Sequence, residues 1–123
     1  MNVIGMGIDL VEISRFHQVI KRRGDKFLER LFTSEELAYA KARKTMISHL
    51  AARFAAKEAV AKALGAPKGL GLEWKDCEIR NGRDGQPQVR LHGTMRRWSK
   101  CRIHISLTHT DHTAAAAVFI TSS

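Results

Sequence analysis

Five charged residues stand out because together they could bind a metal ion and a phosphorylated substrate. They are Asp9, Arg53, Lys57, Glu58 and Lys62. A hard divalent cation such as Mg²⁺ takes carboxylate oxygens together with the phosphate oxygens of a substrate. Lysine and arginine bind phosphate groups. Two carboxylates and three cations are therefore the parts that a phosphoryl-type transfer requires.

Asp9 is unusual because it lies in an apolar segment, Val3 to Val11, where every other residue is apolar or glycine. That pattern predicts a buried strand. An unpaired carboxylate buried there costs on the order of several kcal/mol, so such a residue is paired, hydrogen-bonded or bound to metal. The alternative is that Asp9 ends the strand, where it caps the next helix or pairs with an arginine.

The other four residues lie in the segment that most strongly predicts a helix, Ser48 to Leu64. It is rich in alanine, lacks proline and glycine, and is followed by Gly65, which suits a helix C-terminus. At about 100° per residue, Arg53 and Lys57 fall on its apolar face. They need anions there, or stems that let the charges reach solvent. Glu58 and Lys62 have the spacing of an ordinary helix ion pair, which contributes about 0.3–0.5 kcal/mol.

The rest of the chain predicts an α+β fold. Helices are expected at Glu12–Arg23, Phe27–Phe32 and from the capping sequence at Thr33 to about Arg43, and strands at Glu73–Arg80, Gln88–His92, Arg102–Thr108 and Thr113–Ile120, with a helical turn at Thr94–Ser99. This order predicts one compact domain, residues 1–123, with a long central helix on a small, largely antiparallel sheet.

The formal net charge of +9 indicates an anionic partner. Nucleic acid is one hypothesis, but the chain shows no helix-turn-helix or zinc-finger spacing and no aromatic residues interleaved along a strand. We therefore expect no nucleic-acid partner. Another metal-dependent nucleotide enzyme is a further alternative. No apolar run reaches the roughly 20 residues of a membrane helix, and Cys77 and Cys101 form no CxxC pair, so we expect a cytoplasmic protein with no membrane partner.

Three histidines near the C-terminus, His104, His109 and His112, match no standard zinc spacing. His109 lies at the predicted hairpin turn. A histidine there is more often a surface residue or a hydrogen-bond donor to an anion.

Three motifs resemble those of a known family. They are Gly-Ile-Asp-Leu at 7–10, Arg-Phe-Ala-Ala-Lys-Glu-Ala-Val-Ala-Lys-Ala-Leu-Gly at 53–65 and Ser-Leu-Thr-His-Thr at 106–110. Together with the stretch at 26–37, they resemble the holo-acyl-carrier-protein synthases of the 4′-phosphopantetheinyl transferase family. The resemblance runs in order over nearly the whole chain.

This resemblance implies an enzyme that moves 4′-phosphopantetheine from coenzyme A to a serine of an apo acyl carrier protein. The other product is adenosine 3′,5′-bisphosphate, and the reaction supports fatty acid biosynthesis. The family is usually homotrimeric, with active sites at subunit interfaces, which would explain cations on an apolar helix face.

The resemblance also assigns residues. Asp9 and Glu58 would bind Mg²⁺, Lys62 would contact the phosphates near the breaking bond, and either Glu58 or a metal-bound water would take the proton of the serine. The coenzyme would be bound by a larger set, with the turn at 84–87 beside the adenine: Arg53, Lys57, Lys62, Gly65, Pro87 and His109.

Carrier proteins are acidic, so a basic docking face is expected. Arg15, Val19, Arg22 and Lys26 have the spacing of one helical face, provided that the helix continues past Gly24. The alternative is a basic helix that is merely solvated.

Overall fold

The computed structural model describes residues 2–65 and 73–122. A first strand is followed by helices and then by further strands, which confirms the predicted α+β class. The elements are β1 Val3–Glu12, α1 Ile13–Arg23, α2 Asp25–Leu31, α3 Ser34–Lys41, α4 Met46–Ala63, β2 Cys77–Asn81, β3 Pro87–Leu91, β4 Arg102–His109 and β5 Thr113–Thr121, with short 3₁₀ helices at Trp74–Asp76 and Gly93–Trp98.

The strands form two antiparallel units. β5 lies between β1 and β4 in a three-stranded sheet, whereas β2 and β3 form a separate two-stranded hairpin. In the larger sheet, Asp9 of β1 is opposite Ala116 of β5. Helix α4 packs across one face of this sheet, as the prediction of a central helix on an antiparallel sheet requires.

Two glycines allow β1 to lie directly against the backbone of α4. A Cβ atom added at Gly5 would lie 2.0 Å from the carbonyl oxygen of Ala63, and one added at Gly7 would lie 2.1 Å from that of Ala59. Real Cβ atoms do not approach an oxygen that closely, so any side chain would push the strand away. Gly5, Gly7 and Asp9 alternate along the strand and therefore share one face.

The helix ends follow the sequence signals closely. The hydroxyl of Thr33 accepts a hydrogen bond from the N–H of Glu36, and the Glu36 carboxylate accepts one from the N–H of Thr33, so the predicted capping box is present. Gly24 and Gly65 have φ angles of 77° and 69°, which glycine adopts at little cost. Gly24 ends α1, and Gly65 follows the last turn of α4.

The strand predicted at Glu73–Arg80 begins later, at Cys77, because Trp74–Asp76 forms a 3₁₀ turn. In this turn the Trp74 ring packs on Phe54 with ring centroids 5.2 Å apart. The carbonyl groups of Trp74 and Cys77 both accept hydrogen bonds from Lys57 of α4. Contacts with α4 therefore hold a turn at Trp74–Asp76, where the sequence predicted the start of a strand.

The face of the three-stranded sheet that points away from α4 is apolar and exposed. Met6, Ile8 and Leu10 of β1 are each about two-thirds exposed, and Phe119 of β5 is 44% exposed. Met6 is opposite Phe119 in the strand register, so these side chains are neighbours. We name Met6, Ile8, Leu10 and Phe119 the outer sheet face. Within the described residues, no helix is long and apolar enough to cross a bilayer.

Candidate active site

Asp9 and Lys62 meet where β1 crosses α4. The ammonium of Lys62 donates hydrogen bonds to Asp9 Oδ1 at 2.9 Å and to the carbonyl oxygen of Ile8 at 3.0 Å. The hydrogen bond to Asp9 raises the pKa of Lys62. Asp9 thus has a partner on another element. It neither ends the strand nor caps α1, since β1 continues to Glu12 and the cap residue there makes no side-chain capping bond.

A groove of about 610 Å³ opens beside this contact, and both Asp9 and Glu58 line it. Its wall also includes Glu12 and three aromatic rings, those of Phe16, Phe27 and Phe54. Phe16 and Phe54 contact each other with ring centroids 5.4 Å apart. The groove therefore combines carboxylates with an apolar floor, a combination that suits a substrate with a charged head and a less polar arm.

Asp9 and Glu58 fit a magnesium ion better than a zinc ion. In residues 2–65 and 73–122, no three histidine, cysteine or acidic side chains gather as a metal site. Mg²⁺ is commonly held by one or two carboxylates, with water and substrate phosphate oxygens completing the shell. Two carboxylates on one open groove match that donor set.

Lys57 does not lie at the groove, which corrects its predicted role as a coenzyme ligand. Its side chain is 1% exposed and pairs with Glu36 of α3 at 3.0 Å. The charge therefore has an anion inside the same chain and does not reach solvent. A buried, paired ammonium cannot approach a bound phosphate, because its donors are already used.

Arg53 is also buried, at 3% exposure, and its guanidinium donates to Asn81 Oδ1 of β2. Burial lowers the pKa of Arg53. Its Nε is a buried nitrogen without a hydrogen-bond partner in the described part of the chain. The two cations on the apolar face of α4 therefore have partners within the subunit, so their burial requires no subunit interface.

Arg53 belongs to a cationic group around the ring of Tyr39. The guanidinium carbons of Arg43 and Arg53 lie 3.3 and 4.0 Å from the ring centroid. The ring of His49 lies 5.7 Å from that of Tyr39 and 5.9 Å from that of His109. Burial, followed by the charges of Arg53, Arg43 and His109, lowers the pKa of His49. We name these residues the Tyr39 cluster: Tyr39, Arg43, His49, Arg53 and His109.

The structure thus brings Arg53 and His109 together around Tyr39 and His49, whereas it places Gly65 away from them. Gly65 lies twelve residues after Arg53, or roughly 18 Å along the helix axis at 1.5 Å per residue. Pro87 opens β3 opposite Asn81. The loop that follows Gly65, at 66–72, lies outside the described residues.

The remaining histidines lie elsewhere. His104 is on the outer side of the sheet, opposite Phe119, and its Nε2 lies 3.0 Å from the hydroxyl of Thr121. His112 is exposed in the turn before β5, and its carbonyl accepts a hydrogen bond from the N–H of Ile13. His112 thereby ties the hairpin turn to the start of α1.

The predicted docking residues divide between two helices. Arg15 and Val19 lie on α1 and line the groove, and Arg22 is exposed in the last turn of the same helix. Lys26 lies on α2, because Gly24 ends α1. The continuous helical face expected through Lys26 is therefore wrong, whereas the spacing of the other three residues stands.

Sequence reasoning missed Tyr39, Arg43 and His49, since tertiary packing alone brings them to Arg53. It also missed Gly5 and Gly7 as residues that position Asp9. Their signal was present, because glycines at alternate positions in a strand often mark a close backbone approach.

Comparison with known proteins gives one consistent result. Residues 5–118 match the model of the 4′-phosphopantetheinyl transferase superfamily. A holo-[acyl-carrier-protein] synthase of Solibacter usitatus is 39% identical over 122 residues, covering 96% of this chain and 98% of that protein. A holo-(acyl-carrier-protein) synthase of Bacillus anthracis, crystallised in complex with CoA (3′,5′-ADP), superposes with a TM-score of 0.83 at 33% identity and 98% coverage of both chains. The Neisseria meningitidis synthase gives a TM-score of 0.89 at 28% identity, covering 98% of this chain and all of that one.

Proposed function

The chain belongs to the 4′-phosphopantetheinyl transferase superfamily, and we infer from this that it transfers 4′-phosphopantetheine from coenzyme A to a serine of an apo acyl carrier protein. The second product is adenosine 3′,5′-bisphosphate. The observation that carries the proposal is the contact of Lys62 with Asp9 beside a groove that Asp9 and Glu58 both line. An acidic pair and a lysine are the groups that this transfer needs around the reacting phosphate.

We propose that the serine oxygen attacks the phosphorus that bears the pantetheine arm. A bond from that oxygen to phosphorus forms as the bond from phosphorus to the bridging oxygen of the pyrophosphate breaks. Glu58 takes the proton of the serine, and Lys62, once it turns from Asp9 to the phosphates, stabilises the charge on the leaving phosphate. Lys62 can make that movement at low cost, because its side chain is half exposed and its pair with Asp9 is not buried.

Asp9 and Glu58 would hold Mg²⁺, since they are the two acids on the groove that the family motifs also contain. The ion would neutralise part of the negative charge on the pyrophosphate and orient it. The protein contributes the spacing of the two carboxylates, which depends on the contact of Gly5 and Gly7 with α4.

The Tyr39 cluster is the candidate site for the 3′-phosphate of the nucleotide. Arg43, Arg53, His49 and His109 supply positive or protonatable groups at one place. Gly65 and Pro87 would contact other parts of the coenzyme.

We propose that three chains assemble through the outer sheet face. Apolar side chains such as Ile8 and Leu10, at 66% and 68% exposure, form the kind of contiguous patch that usually marks an interface. Assembly would also let two subunits share one coenzyme site, with the Tyr39 cluster from one and the groove from the other. Light scattering should give the mass of three chains, and a monomer with full activity would contradict this assembly.

The basic face of α1 is the proposed docking surface for the acidic carrier protein. Arg15 and Val19 line the groove that contains Glu58, so a carrier bound there would have its serine near the acidic pair. We expect Arg15→Glu or Arg22→Glu to raise the carrier KM about tenfold and to leave the KM for coenzyme A unchanged. Equal effects on both substrates would contradict docking at this face. Lys26, on α2, is a secondary member whose reversal should matter less.

The whole chain, residues 1–123, is proposed to act as one transferase domain in the cytoplasm and to supply the holo carrier protein for fatty acid biosynthesis. The two cysteines, which form no disulfide, agree with a reducing compartment.

The decisive experiment is intact-mass analysis of an apo acyl carrier protein incubated with this protein and coenzyme A. A gain of one phosphopantetheine with Mg²⁺, lost when a chelator is added, is the expected result. No gain across several carriers, with folded protein and metal present, would overturn the proposal.

A further inference from the structure

Lys57 precedes Glu58 in the chain but points into the protein, where all of its donors are used. Its ammonium lies 3.0 Å from Glu36 Oε1 and donates to the carbonyl oxygens of Trp74, at 2.9 Å, and of Cys77. An ammonium has three N–H donors, so these three acceptors fill its hydrogen-bonding capacity.

Glu36 is satisfied in the same way. Its Oε1 accepts from the N–H of Thr33 at 2.8 Å, and its Oε2 accepts from the N–H of Ile79 at 2.9 Å. The pair with Lys57 therefore joins α3, α4 and β2 at one point. We name Glu36 and Lys57, with these backbone partners, the buried clamp.

The buried clamp is a costly way to fill this position. Removing two charges from water cancels much of their attraction, and well-packed apolar residues of similar volume are often at least as stabilising. Lys57 lies among apolar groups, with its nitrogen 5.6 Å from the centre of the Phe32 ring. What a charged pair with directional hydrogen bonds adds is a defined geometry.

Two parts of the candidate site depend on that geometry. The first is Glu58, which follows Lys57 on α4. Because Glu36 fixes the direction of the Lys57 side chain, it also fixes the rotation of α4 about its axis and hence the direction of Glu58. The second is the turn between β2 and β3. Glu36 holds Ile79 of β2, Arg53 holds Asn81 at the end of that strand, and Asn81 in turn donates to the carbonyl of Gly85 at 2.9 Å.

We propose that the buried clamp is a positioning device for the transfer reaction. It sets the rotation of α4 that directs Glu58 and Lys62 towards Asp9, and it fixes β2 so that the following turn meets the coenzyme. Neither Glu36 nor Lys57 touches a substrate. This inference rests on the proposed function, and it adds two residues on which the efficiency of the site depends.

The test is the double variant Glu36→Gln/Lys57→Met, which removes both charges and nearly keeps the volume. No charge is left unpaired, but the carbonyl groups of Trp74 and Cys77 lose their donor, so we expect a lower melting temperature in a protein that is still folded at the assay temperature. We expect kcat to fall about 100-fold, which is the effect that a displacement of reacting groups by about 1 Å can have. Calorimetry with Mg²⁺ should show coenzyme A binding about tenfold more weakly, and the carrier KM should not change.

The outcomes separate positioning from mere structural support. Wild-type kcat and coenzyme affinity in a stable double variant would overturn the inference. Glu36→Asp is the second variant, for use if the double variant does not fold. It keeps both charges but shortens one arm, so a loss of kcat in a folded protein supports positioning, and wild-type kinetics overturns it.

Glu35→Gln is the matched control, because Glu35 forms an exposed 2.7 Å ion pair with Arg80 between the same two elements, α3 and β2. It should leave kcat and both KM values within about twofold, as expected for a surface ion pair. A wild-type protein that fails to modify any carrier would overturn the proposed function. Coenzyme binding still tests the buried clamp in that case, because it requires no turnover.

Discussion

Two pairs of charged residues on α4 have similar sequence character and opposite fates. Arg53 and Lys57 are almost fully buried and hold neighbouring elements in place. Glu58 directly follows Lys57 in the sequence, and it lines the groove. Lys62, one turn further along α4, is half exposed and contacts Asp9 beside the groove. Residue type therefore does not separate a buried cation that holds the fold together from an accessible cation beside the groove. The two kinds of cation differ in the element that each side chain faces, since α3 and β2 supply buried acceptors and β1 supplies an accessible carboxylate.

The largest effect is expected from the two acids on the groove. Asp9→Asn and Glu58→Gln keep side-chain size and remove the negative charge, so each should lower transfer about 1,000-fold or more, as the loss of several kcal/mol of charge stabilisation implies. The melting temperature should change little. Rates come from the mass assay, with Glu12→Gln as a control on the same groove. Near-normal transfer in either variant would remove that residue from the site.

Lys62→Met should come next, with kcat about 100-fold lower and stability unchanged, because the side chain is half exposed. Kinetic assays and thermal unfolding check the two halves of this prediction, with the exposed Lys41→Met as control. A clear fall in the melting temperature with near-normal kcat would contradict the contrast between the two pairs, because Lys62 would then be a structural cation like Lys57.

Gly7→Ala separates the groove side of α4 from its buried side, since it should disturb the contact of Asp9 with α4 and leave the buried clamp unchanged. The new Cβ would lie 2.1 Å from the backbone oxygen of Ala59, which no side-chain movement relieves. We expect a loss of about 1–3 kcal/mol of unfolding free energy, as is typical of overpacking. Denaturant titration measures it, and Gln18→Ala at an exposed position of α1 is the control. Wild-type stability would show that β1 can shift freely.

The smallest effect is expected at His49, which lies beside the buried Arg53 in the Tyr39 cluster. Its folded pKa is lowered by burial and by Arg53, Arg43 and His109, so the unfolded chain binds this proton more readily. Stability should therefore be full above the unfolded pKa of about 6.5 and fall as the pH drops below it. His49→Gln should lose part of that pH dependence, as melting temperatures at pH 7.5 and 5.5 would show. An unchanged pH dependence would contradict the assignment.

Local signals predicted the elements well because they act over a few residues. The capping box at Thr33 begins α3, and the glycines after α1 and α4 follow the ends of those helices, as expected. The start of β2 was wrong by a few residues, because hydrogen bonds from Lys57 and the packing of Trp74 on Phe54 decide it. Such contacts join residues about twenty positions apart, and no local pattern records them.

By itself, the sequence determined the α+β class, the end of α1, the start of α3 and the unusual carboxylate Asp9. Hydrophobic period, capping chemistry and the cost of burying a charge can be recognised in the sequence alone. The starts of α2 and α4 lie two residues before the predicted positions. Only the tertiary structure decided which cations are free to act. Glu36 looked like a capping residue alone until α4 and β2 brought Lys57 and the N–H of Ile79 to its two oxygens. The physical reason is that the value of a charge depends on its neighbours in space and on the water it loses, and packing sets both.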